Sequence, residues 1–392
     1  RRQRQMCIRD RENIPEVLRR FLPKLGERQV RLFPVALVCS LLLFMTGGLS
    51  SFMPLGEAIS HAFIIGTYPA EEADVLAAER AYCGMEKELE DELDHYEARH
   101  PGCDEYNVKA QEIWHDPYAL CAIISAYLGG EEWTIDSAYP VMERYFKLQY
   151  VLTEKITTET RYRTEQRVGQ QLVTDPKTGA QRWESYTYEV EVPYTYRICD
   201  VKLENKNLSH QPVYSMSREK MGLYALYMST LGNMPDLFAG KPHASQLKDP
   251  LLYDVPEEYK QADPQFGKLI EEAEKYLGFP YVWGGSSPDT SFDCSGFVSY
   301  VFTNSGVYNT GRLGATGLYG ICQKITADEA RPGDLIFFEG TMGEDVGGIT
   351  HVGLYVGDNM MIHCGNPITY ADLTRTYWQQ HFYGFGRIPY DP

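Results

Sequence analysis

The chain has 392 residues, 43% of them hydrophobic, which excludes a disordered protein and allows two or three cores. Its net charge of −17 is uneven: residues 1–31 hold ten Lys/Arg against four Asp/Glu, so the remainder carries −23. An acidic body of that kind argues against nucleic acid as a partner, since duplex binding needs a basic surface.

The segment after the basic tail explains the asymmetry. Leu32 to Met53 is an uncharged run of 22 residues, enough for one helix across a bilayer, which takes roughly 20. Pro34 and the Gly47-Gly48 pair are tolerated in membrane helices. The dense basic flank predicts a cytoplasmic N-terminus, 1–31, and an exported body. A cleaved signal would also export the body, but Gly56-Glu57-Ala58 is a poor cleavage site, so a single-pass transmembrane anchor at 32–53 is expected.

Residues 71–232 read as a helical domain carrying a β-ribbon, suited to interaction or spacing. EEADVLAAERAYCGMEKELEDELDHYEARH has apolar residues at three- and four-residue steps. Further helices are expected over about 117–128, 139–151 and 217–231. Between the last two, KITTETRYRTEQRVGQQLV and WESYTYEVEVPYTYRICDVKLE alternate around DPKTGA, the pattern of a long antiparallel β-hairpin. Cys83, His95, His100 and Cys103 match no zinc-ligand spacing, so no metal is expected and a Cys83–Cys103 disulfide is the simpler reading. Residues 233–262, rich in Pro, Lys, Asp and Gly, read as a linker.

The chemistry lies in 263–392. FDCSGFVSYVF puts Phe297, Val301 and Phe302 on one helix face, so Cys294 falls at a helix N-terminus. Unpaired N–H groups and partial positive charge there favour a thiolate. A nucleophilic thiol needs a proton-transfer partner. THVGLYVGDNMMIHCG supplies His351 on one strand and His363 on the returning one. A three-residue turn at Gly357–Asn359, or a bulge, sets the two histidines on one face; a plain two-residue turn sets them on opposite faces. Arg331-Pro332-Gly333-Asp334 reads as a tight turn into a strand. Cys364 is a second thiol, either passive or disulfide-bonded, and Trp283 either lines the site or packs.

These residues resemble the NlpC-type cysteine endopeptidases of bacterial cell walls, a papain-like family. The matching pieces are PYVWGG, FDCSGF, RPGDLIFF, THVGLYVG and IHCG, in the family's order. The resemblance implies an α+β fold with a nucleophile helix on an antiparallel sheet. It assigns Cys294 as nucleophile, His351 as general base and His363 as the group that orients it. By the same resemblance Tyr281 reaches the site, Asp293 and Ser295 help bind the peptide, and no cofactor is needed. The implied substrates are peptidoglycan stem peptides, cut between D-glutamate and a diamino acid. The whole arrangement is also similar to wall hydrolases of Gram-positive conjugative elements, with the middle domain meeting secretion-channel proteins. Two other classes compete: a non-catalytic wall-binding or channel subunit, and a related thiol amidase or acyltransferase.

Overall fold

A computed structural model describes residues 66–342 and 347–389. The basic tail 1–31 and the uncharged run 32–53 lie outside them. Among the described residues no helix is long and apolar enough to cross a membrane. The chain packs as two units: Tyr82–Trp114 with Lys147–Lys206, and the described residues before Tyr82 with His115–Phe146 and everything from Asn207 onward. Helix α1 (Glu72–Asp94) buries Val75, Ala78 and Tyr82, the helical spacing that the sequence shows.

The first unit is built on the ribbon. Strands β2 (Tyr150–Thr174) and β3 (Gln181–Asn205) pair antiparallel in continuous register from Tyr150↔Asn205 to Thr174↔Gln181. Their turn is closed by the Asp175 carboxylate, which accepts from the N–H groups of Lys177 (2.8 Å) and Thr178 (3.1 Å). At the base, β1 (Glu105–Ala110) joins β3 in parallel, a pairing for which the sequence gives no turn signal. Cys199 and Val201 are buried there with Tyr96, and Cys103 packs beside them. No disulfide joins Cys83 to Cys103, so the bridge expected between them does not form; Cys103 is drawn instead into the apolar cluster at the ribbon base.

In the second unit, α2 (Pro117–Tyr127) is buried along nearly its whole length and starts at an Asp116 cap that accepts from Tyr118 N–H. It packs on α4 (Arg218–Thr230). Helix α3 (Ile135–Gln149) begins four residues before the expected Tyr139, ahead of Pro140. The reason is tertiary: Asp74 Oδ1 takes the otherwise unpaired N–H of Ile135 at 2.9 Å. Residues after α4 are held by side chains rather than by a local repeat. Tyr118 Oη donates to Pro235 O at 2.6 Å and accepts from Phe238 N–H at 3.1 Å. Ser245 Oγ donates to Asp116 Oδ2 at 2.5 Å, and a short helix forms at Glu257–Ala262.

The C-terminal part is α+β. Helix α5 (Pro264–Glu274) is capped by Asp263 and lies against α6 (Cys294–Asn304), after the short strands β4 (Ser286–Ser287) and β5 (Ser291–Phe292). Beyond α6 come α7 (Ala315–Ile321), β6 (Gln323–Ile325), β7 (Leu335–Glu339), β8 (Ile349–Gly357), β9 (Met360–Cys364), β10 (Ile368–Asp372), α8 (Thr376–His381) and β11 (Phe382–Arg387). The antiparallel sheet has the order β10-β9-β8-β7-β11-β6. Phe297, Val298, Val301 and Phe302 of α6 share its core with Val352, Leu354 and Ile362 of the sheet. The turn before β7 has Gly333 at φ 98°, and buried Asp334 accepts from Arg387 Nε at 2.7 Å and Nη2 at 2.8 Å, tying β7 to β11.

The start of α6 is pressed onto the loop before β4. A Cβ at Gly296 would stand 2.1 Å from the Gly285 carbonyl oxygen. Gly296→Ala is therefore expected to cost about 1–3 kcal/mol in denaturant unfolding; unchanged stability would mean that the helix start can move.

Candidate active site

Hairpin register decides which side chains meet. Asp358 and Asn359, both at positive φ (48° and 57°), form a two-residue turn, with Gly357 opposite Met360. An unbroken ladder would then place Leu354 opposite His363. The pairing shifts instead between Tyr355 and Gly357, so Tyr355 faces Met361 and Gly353 faces His363. This one-residue bulge returns His351 and His363 to the same face. His351 Nε2 lies 2.9 Å from His363 Nδ1, one ring donating and the other accepting. Gly353 leaves the room for this: a Cβ there would stand 3.2 Å from His363 Cβ and 2.7 Å from Met361 Sδ.

Cys294 is the first residue of α6 and is buried. Its Sγ is 4.0 Å from Thr350 O, and the backbone N–H groups of Val352 and Ser295 act on it electrostatically. The thiol thus lies on the backbone that flanks His351. Burial, with the Asp293 charge behind it, pushes the thiol up to about 12, although those N–H groups favour the thiolate. Burial also lowers His351 to about 4 and takes His363 well below its ordinary value, with repulsion from His351 adding to it. At neutral pH the resting site is a neutral thiol beside two neutral imidazoles.

The predicted peptide contacts are tied together. Asp293 caps α6, accepting from Gly296 N–H at 2.6 Å and Ser295 Oγ at 2.9 Å. Its other oxygen accepts from Gly284 N–H at 3.1 Å and Arg312 Nη2 at 2.5 Å. Arg312 Nη1 also donates to Ser295 Oγ at 3.0 Å. Sequence reasoning missed Arg312; its only signal is a lone cation in the loop NTGRLGA. Tyr281 bridges to Phe292, and its buried Oη has no partner among the described residues. Cys364 is buried and unbonded to other sulfur; its thiol donates to Phe292 O at 3.2 Å.

Trp378, from α8, is another residue that the sequence did not announce. Its ring lies 5.7 Å from His351 at 29° and 5.0 Å from His363 at 81°. It covers the imidazoles and helps to desolvate them. The site opens into a cleft of about 420 Å³, lined by Tyr281, Trp283, both histidines, Tyr377 and Trp378 on the sheet side. Asn207, Ser209, His210, Tyr224 and Ser245 line it from the helical part of the same unit.

Residues 278–387 match the model of the NlpC/P60 family. Over 121 residues the chain is 46% identical to a bifunctional muramidase/DL-endopeptidase of Bacillus subtilis (strain 168), covering 31% of this chain and 36% of the relative. It is 46% identical over 122 residues to a probable endopeptidase p60 of Listeria seeligeri, covering 31% and 22%. A gamma-DL-glutamyl hydrolase of Bacillus subtilis (strain 168) is 34% identical over 143 residues, covering 36% and 30%. The chain thus spans only about a third, or less, of the length of each of these three.

Two histidines held neutral by burial bind fewer protons folded than unfolded. Stability present above their unfolded value of about 6.5 should be lost as pH falls from there through about 4 for His351. Unfolding free energies measured from pH 7 to 4 should show this slope, and His363→Asn should reduce it; an equal slope in the variant would assign the acid sensitivity elsewhere.

Proposed function

Since residues 278–387 are an NlpC/P60 family domain, homologous to cell-wall endopeptidases, we propose that this chain hydrolyses amide bonds of peptidoglycan stem peptides by a cysteine mechanism. The bond is that between D-glutamate and the following diamino acid. The observation that carries this reading is the 2.9 Å His351–His363 contact beside a thiol at a helix start.

The steps follow from the atoms. His363 occupies Nε2 of His351, leaving Nδ1 to take the Cys294 proton. Sulfur attacks the peptide carbonyl, and the oxyanion forms near the first-turn N–H groups of α6 and the unpartnered Tyr281 Oη. His351 returns the proton to the leaving amine, giving a thioester and a free amino group. It then takes a proton from water, which attacks the thioester, and sulfur leaves as the thiol. His363 fixes the tautomer of His351 throughout. Asp293 and Ser295, braced by Arg312, hold the peptide next to the nucleophile. No cofactor takes part.

The uncharged run 32–53, with the basic tail before it, supports a single-pass membrane anchor with the hydrolase outside, facing the wall. Within that placement, local wall opening for a conjugative channel is the role proposed for the protein, with the middle domain meeting channel proteins.

Mass spectrometry of products from peptidoglycan digests tests the chemistry. Fragments ending in D-glutamate, lost in Cys294→Ala, are expected, with a drop of at least about a thousandfold in kcat/KM. A folded wild-type protein that binds walls without cutting them would point to a wall-binding subunit, and a product from another bond to an amidase or acyltransferase. The pH profile is a second check. A base that stays neutral down to about 4 should keep kcat/KM level from pH 7 to near 5 and lower it below; an acidic limb centred near 6.5 would count against a desolvated His351.

A further inference from the structure

The cleft has a wall that the family-matched residues do not supply. His210, at the end of the 3₁₀ turn Leu208–His210, lies flat on Trp283, with ring centroids 4.0 Å apart and planes at 16°. Trp283 Nε1 donates to Tyr214 Oη at 3.3 Å. Val213 fills the space beside Gly284, where a Cβ would stand 2.5 Å from Val213 Cγ2. Arg218 pairs with Asp289 alongside. Residues 207–214 are thus seated on the PYVWGG segment, and Asn207, Ser209 and His210 among them line the cleft together with His351 and His363.

We infer that residues 207–214 form a substrate-binding wall of the cleft, with His210 contacting a neutral backbone amide of the stem peptide. This rests on the endopeptidase reading above. Among the described residues the buried Tyr281 Oη has no hydrogen-bond partner, and the half-buried imidazole of His210 lies beside it in the cleft lining, stacked on Trp283. Stacking on Trp283 holds the ring plane and leaves the ring nitrogens available to a ligand. Burial lowers His210 to about 4, so at neutral pH the ring is uncharged, with one nitrogen to donate and one to accept. That matches a peptide amide, which offers both a carbonyl and an N–H, better than a carboxylate or an ammonium. Trp283 acts as a positioning residue, keeping the imidazole plane aimed along the cleft.

The test uses the full chain and a synthetic stem peptide, L-alanyl-γ-D-glutamyl-diamino acid. Three substitutions separate stacking from hydrogen bonding: His210→Ala removes both, His210→Phe keeps the stack, and His210→Gln keeps the hydrogen bonds. KM should rise roughly three- to tenfold in His210→Ala and His210→Phe, the loss of one neutral hydrogen bond, with kcat within about twofold. His210→Gln should recover most of the loss. A His210→Phe variant equal to wild type would overturn the inference, since stacking would then explain the residue completely. If His210→Ala fails to fold, the Phe and Gln pair decides alone. Protection of Cys294 from iodoacetamide by the same peptide keeps the test independent of turnover. Without hydrolysis by wild type, the endopeptidase reading fails, and weaker protection in His210→Phe still supports the wall. Equal protection in wild type and His210→Phe, or none in either, overturns it.

Discussion

A single extra residue in the β8–β9 hairpin governs this site. The two-residue turn at Asp358-Asn359 would by itself send His351 and His363 to opposite faces of the sheet. The register shift between Tyr355 and Gly357 cancels that, because side chains alternate with a period of two and one added residue inverts every face beyond it. The imidazoles then meet at 2.9 Å. Gly353 has no Cβ to crowd His363, and Trp378 covers the pair. Bulges beside functional sites commonly re-aim side chains in this way.

Cys294, the proposed nucleophile, is placed by a second, independent device. Asp293 ends the loop before α6 and caps the helix, and its remaining hydrogen-bonding capacity goes to Gly284 and Arg312. One carboxylate therefore fixes the helix start, the preceding loop and a cation beside the thiol. Its charge also works against the thiolate, and so does burial, which is the larger cause. The site is better described as a desolvated neutral pair than as a preformed ion pair. In the proposed mechanism, charge separates when the thiol proton passes to His351, next to the first-turn N–H groups of α6.

Outside the family-matched residues, the helical part of the same unit contributes Asn207, His210 and Ser245 to the cleft. Its own order depends on the Tyr118 hydroxyl and on the Asp116–Ser245 pair. These contacts join residues 116–118 to 235–245, and Tyr145 Oη with Ser215 Oγ, 2.7 Å apart, ties the end of the segment that reaches Trp283 to α3.

Short-range chemistry is written in the order of the residues. The Cys294 helix start, the tight turn before β7, the paired strands bearing His351 and His363, the long hairpin and the family resemblance were all legible, because each rests on local spacing or a local motif. Other features needed the folded chain. The bulge was legible only as one of several turn readings, since no residue in GLYVGDNMM marks which position is extra. Helix α3 starts at Ile135 because Asp74 reaches it from another helix, and β1 joins β3 without any turn to announce it. Arg312, Trp378 and His210 sit far in sequence from the residues that they touch, so no periodicity could bring them to the site. Residue spacing encodes the faces of elements; which faces meet depends on long-range packing, and in this chain the packing selects the pairings that make the cleft.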